Sequence, residues 1–326
     1  MKRSFEEIFI STFHNKVSFD EFLTLDIESE FKKIPLQKRT VYAPSSKLKQ
    51  IHRFLNHAVF EYAEFNKDVV FSYRKGESTR TAVEKHANNR VFYQADIKDF
   101  FGSLKKENIL HTIEAQLENT PVLDIVDYRD RLLDLTVVDD HIPAGFATSP
   151  ILSNLCLFEF DNALDNICKK EELTYTRYAD DIIISSQTDA FLPEIEEKIQ
   201  KLLSKKVNPE IFLNLAKRKV QLQGQRIKIL GFNILPNGIV TIPNKDKKSV
   251  ETMLHFFIND EEKFKDYVSK NIKSNSDGEP SLRDIGISSL SGKLISLNSM
   301  DKNYISKLKK KYGNTVIDMF IRKSVK

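Results

Sequence analysis

Apolar positions recur at helical spacing along much of the chain, with short apolar runs between them. Phe5, Ile8, Phe9, Phe13, Phe19, Phe22 and Leu23 predict one or two short amphipathic helices within residues 5–30. Residues 31–45 read as extended. Leu48, Ile51, Leu55, Val59 and Tyr62 line one face of a helix over 45–65, which Ser45 or Ser46 can cap. The segment 68–86 predicts a short strand, a turn at Gly76 and a helix from Ser78 or Thr79. VFYQADI, 91–97, reads as a strand entering a turn or helix at KDFFGSL. Helices follow over 105–117 and within 121–135, then a strand and loop over 136–148. A single long helix starts at Thr148 or Ser149, has Pro150 in its first turn, and runs to Lys170. LTYTRYADDIIISS, 173–186, has two strand-like halves flanking Ala179-Asp180-Asp181, the pattern of a hairpin. A helix over 190–206 and strands over 211–215, 227–235 and 238–242 come next, with a turn at Asn237-Gly238. From Ser249 the spacing is helical, interrupted by the polar stretch 275–281, and no internal repeat is visible.

Composition narrows the class. The 326 residues are 40% apolar and 29% charged, as in ordinary globular proteins, and suggest about two domains. The net charge of +4 says little by itself. Its distribution says more, since residues 201–250 hold 11 basic and 2 acidic side chains, and residues 293–326 hold 9 and 2. Two such stretches suit a phosphate backbone, or simply a solvated lysine-rich surface. Cys156 and Cys168 fall inside the long predicted helix, fit neither a zinc spacing nor a disulfide framework, and read as core. The start MKRSFEEIFISTF carries Glu6 and Glu7 and no long apolar run, so a secretory signal is not expected. No stretch approaches a membrane span, and a cytoplasmic protein is the expectation.

The sharpest local feature is Asp180-Asp181 in a tight turn. Adjacent carboxylates repel, so they need either water or a cation. Asp96 ends a second strand. If the two strands are neighbours in one antiparallel sheet, three carboxylates meet at one edge, where hard oxygen ligands suit Mg²⁺. Plain acidic turns remain the alternative. Arg74, Lys75 and Arg80 surround the helix start after Gly76, a place suited to phosphates or merely a charged turn.

Tyr178-Ala179-Asp180-Asp181 resembles the catalytic box of reverse transcriptases. QADIKDFFGSL resembles the first metal-binding motif of that family, HIPAGFATSPILSNL the motif before its long helix, LNLAKRK the next motif, and KILGFNI its primer-grip hairpin. Upstream, YRKGEST resembles the fingers, and LSGKLISLNS with the Tyr304 helix resembles the thumb of bacterial retron-type enzymes associated with phage defence. The order of the motifs also agrees. The resemblance implies an α+β right-hand polymerase fold: N-terminal helices and fingers over 1–90, a ferredoxin-like antiparallel palm over 91–243 with an inserted fingers segment near 105–145, and a small helical thumb over 244–326. It implies RNA-directed DNA polymerase activity by nucleotidyl transfer with two Mg²⁺ ions and dNTP substrates. Asp96, Asp180 and Asp181, with the carbonyl of Ile97, would hold the metals. Lys217 would sit near the leaving pyrophosphate. Phe101 would lie under the incoming sugar and reject a 2′-hydroxyl, and Asp99 would lie near the triphosphate. Arg74, Lys75 and Arg80 would contact the nucleotide from the fingers, and Ala144, Gly145 and Phe146 would line its pocket. Partners implied are a structured noncoding RNA serving as template or primer, the RNA–DNA hybrid, and a separate effector protein. An appended RNase H, endonuclease or maturase domain of usual size is not expected.

Two departures shape the alternatives. The family's Gln stands here as Ala144, followed by Phe146 and Ala147 rather than a small residue and Pro. Alanine has no donor for the nucleotide or template, and Phe146 offers stacking instead. This motivates a polymerase of biased or non-templated DNA. Ile229-Leu230 stands where retrons carry Val-Thr, which favours a broader retron-like assignment. A degenerate RNA-binding scaffold and a nucleotide cyclase on the same palm are further alternatives.

Overall fold

The computed structural model describes residues 3–14, 16–36, 39–224, 227–272 and 281–323. The chain forms two compact units, one of residues 1–77 and 89–223, the other of residues 78–88 and 224–326. It is a mixed α/β structure with small antiparallel sheets and many helices.

The first unit opens with a helix Phe5–Phe13, started by a capping box between Ser4 and Glu7. Phe5, Phe9 and Phe13 recur every four residues and bury one stripe among Phe22 and Phe54. Strands β1 (Phe31–Leu36) and β2 (Arg39–Pro44) pair as an antiparallel hairpin. Ser45 then caps the helix Ser46–Ala58, accepting from the Leu48 amide at 3.0 Å.

Strands β3 (Val91–Asp96), β4 (Thr174–Tyr178), β5 (Asp181–Ser186) and β6 (Lys219–Leu222) form an antiparallel sheet in the order β4-β5-β3-β6. Val91–Tyr93 and Ile182–Ile184 are buried without alternation, so both faces of the central strands are covered. The β3–β5 register places Asp96 directly opposite Asp181. The two-residue turn Ala179-Asp180 joins β4 to β5.

In the second unit, β7 (Ile227–Ile229), β8 (Phe232–Ile234) and β9 (Val240–Thr241) form a small antiparallel sheet, and the helix Thr79–Glu84 packs against β9. Helices Asn244–Asn259, Glu261–Asn271, Leu282–Met300, Lys302–Tyr312 and Asn314–Ile321 complete it. Gly286 lets two helices meet closely, since a Cβ there would lie 2.6 Å from the Phe264 ring. Among the described residues, no helix is long and apolar enough to cross a membrane.

Several sequence expectations are corrected. The strand expected near 68–72 is only a bridge between Val70 and Arg177, closed by the Phe71 amide donating to the Arg177 carbonyl at 3.0 Å, before the chain turns at Tyr73 with a φ of 58°. The strand expected over 136–148 reduces to bridges at His141, where Asp139 and Asp140 both take left-handed backbone. The long helix is two, Ser149–Cys156 and Phe158–Lys170, broken at the fully buried Leu157 without any glycine or proline. Over 211–215 there is one bridge, Ile97 to Leu213, and the strand lies later, at β6. The strand expected over 227–235 is a hairpin, turned at Leu230-Gly231 with φ of 46° and 88°, as a two-residue turn of this hand requires. The polar stretch 275–281 lies, except for Ser281, outside the described residues.

Candidate active site

The acidic edge of the sheet follows from its register. Asp96 ends β3, Asp181 begins β5 opposite it, and Asp180 occupies the turn. The Ile97 amide donates to the Asp180 carbonyl at 3.0 Å, which ties the end of β3 to that turn. Asp96 is 5% exposed. Its Oδ2 accepts from Lys217 Nζ at 2.6 Å and from Asn214 Nδ2 at 3.4 Å. Its Oδ1 is buried without a hydrogen-bond partner. A buried, unpartnered carboxylate oxygen is costly and is satisfied by a cation.

Electrostatics points the same way. Burial, then the neighbouring Asp180 and Asp96, push the Asp181 carboxyl up to about 6. Asp180 is also raised, chiefly by burial and then by Asp96. The Lys217 ammonium is raised by its bond to Asp96. The edge thus gathers more negative charge than it neutralises, and a hard divalent cation fits that donor set. Among the described residues, no three carboxylate, imidazole or thiolate side chains already converge on one ion position.

A cavity of about 790 Å³ in the first unit opens onto this edge. Of the residues singled out from sequence, Ile97, Asp99, Phe101, Ala144, Asp180 and Lys217 line it. Others are not among its lining residues. Gly145 faces β2: its φ is 118°, a Cβ would stand 2.3 Å from the Tyr42 carbonyl oxygen, and the Tyr42 amide donates to the Ala144 carbonyl at 2.8 Å. The glycine is therefore required by the neighbouring strand. Phe146 is 2% exposed and packs with Phe31, Tyr42 and His52, so its ring is committed to the core. Arg74 turns into its own loop, donating to the carbonyls of Lys67 and Val70 at 2.6 and 2.5 Å. Lys75 is exposed. Arg80, in the second unit, pairs with Glu84 at 2.7 Å and lies 3.6 Å from Asp301.

Arg39, Tyr73, Lys105 and His141 are among the cavity residues not singled out from the sequence. Arg39 and Lys105 supply positive charge to the wall. Tyr73 has a left-handed φ of 58°, and its hydroxyl is raised by burial and by Asp180. The His141 ring is anchored through Nδ1 to the Asp139 carbonyl at 2.9 Å and stands edge-on to Tyr42. The one sequence signal was Tyr73 itself, an aromatic in the turn before Gly76.

The reverse transcriptase (RNA-dependent DNA polymerase) family profile matches residues 32–234. The chain is 27% identical over 285 residues to the retron Ec73 reverse transcriptase of Escherichia coli, covering 84% of this chain and 83% of that one. It is 21% identical over 313 residues to the retron Ec83 reverse transcriptase of Escherichia coli, covering 92% of each. It is 25% identical over 230 residues to the retron Mx65 reverse transcriptase of Myxococcus xanthus, covering 67% of this chain and 52% of that one. Among solved structures, telomerase from Candida albicans aligns over 85% of this chain and 54% of its own, at a TM-score of 0.46 and 12% identity.

Proposed function

The chain belongs to the reverse transcriptase family, and we propose that it extends a primer with dNTPs on a structured noncoding RNA, as part of an antiviral defence system. The observation that carries this reading is the opposition of Asp96 and Asp181 across β3 and β5, with Asp180, next to Asp181 in the turn, on the cavity wall. In this reading, residues 1–90 act as fingers, 91–243 as palm with an inserted segment near 105–145, and 244–326 as thumb. Asp96, Asp180 and Asp181, with the Ile97 carbonyl, would hold two Mg²⁺ ions, which would supply Lewis-acid charge for phosphoryl transfer when bound.

The chain's own residues do the rest. The primer hydroxyl attacks the α-phosphorus, and pyrophosphate leaves. Lys217, two-thirds exposed at its side chain, holds the Asp96 carboxylate in the free enzyme and is long enough to turn its ammonium toward the departing phosphates. Arg39 and Lys105, which line the cavity, present charge to the triphosphate, while the Arg74 guanidinium is engaged by its own loop. Phe101 forms the wall beneath the sugar and disfavours a 2′-hydroxyl, while Asp99 flanks the phosphates. The basic C-terminal helices grip the RNA–DNA hybrid through its backbone. A separate effector protein completes the defence role, as the kinship to retron enzymes suggests.

The test is extension by the purified chain with its co-purifying RNA and all four dNTPs, followed by product sequencing. Products complementary to that RNA, abolished by Asp180→Asn with Asp181→Asn, support the proposal. Ala144 on the cavity wall favours one second reading, synthesis of biased or non-templated DNA. Products with no complement in the RNA would select it.

A further inference from the structure

Arg177, on β4 two residues before the acidic turn, is fully buried, and the chemistry above makes no use of it. Its guanidinium makes four bonds. Nε and Nη2 donate to Oδ1 and Oδ2 of Asp161 at 2.8 and 2.6 Å. Nη1 donates to Asn154 Oδ1 at 3.2 Å and to the Ala179 carbonyl at 3.0 Å. Asp161 is equally buried and also accepts from the Tyr175 hydroxyl at 2.7 Å. Asn154 carries the network onward, donating through Nδ2 to the Ser72 carbonyl at 3.0 Å and accepting from Ser72 Oγ at 3.3 Å. Ser72 immediately precedes Tyr73 in the cavity wall.

A buried ion pair adds little net stability over well-packed apolar side chains, so its value is to be sought in what it fixes. What it fixes here is Ala179. That residue takes a left-handed φ of 56°, which costs a non-glycine residue roughly 1–2 kcal/mol. Its carbonyl direction sets the orientation of the next peptide and thus of Asp180. The fork of a guanidinium can clasp Asp161 and still reach that carbonyl, whereas a compact ammonium cannot do both.

We propose that Arg177 is a positioning residue: by holding the Ala179 carbonyl, it presets the Asp180 and Asp181 carboxylates for a divalent cation, and through Asn154 and Ser72 it links the turn to the Tyr73 wall. The proposal rests on the polymerase reading of the same edge. Asp161 keeps the buried guanidinium neutralised; its Oδ1 accepts from both Arg177 Nε and the Tyr175 hydroxyl, while the bond to the Ala179 carbonyl comes from Arg177 Nη1.

The experiment compares the full chain with Arg177→Lys, Asn154→Ala and Tyr175→Phe. Five quantities are read: affinity for Mn²⁺ alone by electron paramagnetic resonance, amide exchange at residues 178–182, kcat and KM for dNTP, and melting temperature. Arg177→Lys should weaken Mn²⁺ binding about tenfold and lower kcat about 100-fold, the scale seen when a supporting partner of metal ligands is removed. The dNTP KM should stay within about twofold, and the turn amides should exchange faster. Asn154→Ala, which leaves the Arg177–Asp161 pair intact, should weaken Mn²⁺ binding about threefold and keeps the test open if Arg177→Lys does not fold. Tyr175→Phe should lower the melting temperature while leaving Mn²⁺ affinity and kcat within about twofold. Wild-type Mn²⁺ affinity and exchange in both Arg177→Lys and Asn154→Ala would overturn the proposal. So would losses that merely follow melting temperature across all three variants. A wild-type chain that binds no Mn²⁺ and extends no primer would instead overturn the polymerase reading, and this proposal with it.

Discussion

Gly145→Ala isolates the close approach between the 141–148 loop and strand β2. The added Cβ would stand 2.3 Å from the Tyr42 carbonyl oxygen and 3.2 Å from Val41 Cγ1, and neither the backbone oxygen nor the packed valine is a flexible chain end. The backbone φ of 118° adds strain for any L side chain, about 1–2 kcal/mol. Relief of the clash requires the loop and strand to part, which puts the 2.8 Å bond from the Tyr42 amide to the Ala144 carbonyl at risk, about 1 kcal/mol. Shifting packed backbone around an inserted methyl adds about 1–3 kcal/mol. A total near 4 kcal/mol would lower the melting temperature by about 10 °C for a unit of this size. The control is Gly76→Ala, where φ is 88° but no atom lies within 4 Å of the new Cβ. It carries the strain alone, about 1–2 kcal/mol, and should cost only about 3–5 °C. Scanning calorimetry on both variants reads the difference. Because Ala144 lines the cavity, displacement of the loop should also raise the dNTP KM, about tenfold, in Gly145→Ala and not in Gly76→Ala. Equal melting shifts in the two variants, or a Gly145→Ala protein within about 3 °C of wild type, would refute the steric argument.

Three further outcomes follow from the site and core. Asp96→Asn removes the partner of Lys217 and one charge from the acidic edge; primer extension should fall at least about 10³-fold while hybrid binding, followed by fluorescence anisotropy, changes only a few-fold. Phe101→Val opens the cavity floor, and the rNTP-to-dNTP ratio of kcat/KM should rise about 10–100-fold; an unchanged ratio would remove Phe101 from sugar selection. His52 is fully buried, and burial holds its imidazole down to about 4, below the ordinary value of 6.5. Its stabilising effect is therefore complete above about pH 6.5 and is lost as pH falls toward 4, by up to roughly 3 kcal/mol. Urea unfolding at pH 7, 5.5 and 4.5 should show a smaller loss on acidification for His52→Gln than for wild type, and identical slopes would refute it.

What was legible in the sequence was what local chemistry decides. Ser4 with Glu7 and Ser45 with Leu48 set helix starts that their own neighbours complete. The acids of the 173–186 hairpin fell at its turn because the flanking apolar runs left no other place for them. Elements decided by distant partners were not legible. KVQL, in a basic and largely exposed stretch, becomes β6 only because the β3 edge pairs with it. Leu157 breaks a helix that its sequence would continue. The same division runs through the site. Asp96 ends a strand, Asp181 begins one and Asp180 sits in the turn before it, so a single assumption about strand neighbours brought them together. Cations carry no such marker. Arg74 beside a glycine turn looked like a phosphate ligand, yet two carbonyls of its own loop already take its guanidinium. Arg39 sits on an open hairpin strand with no motif around it, and reaches the cavity wall because β2 packs beside the 141–148 loop. Arg177 reads as one more charge in a strand, yet it is wholly buried. A basic residue acquires its role from which acceptors remain unsatisfied within reach, and that depends on tertiary neighbours far away in sequence. Carboxylates at strand ends can thus be located from pattern, whereas the cations that line the cavity or lie buried behind the turn are located only by the fold.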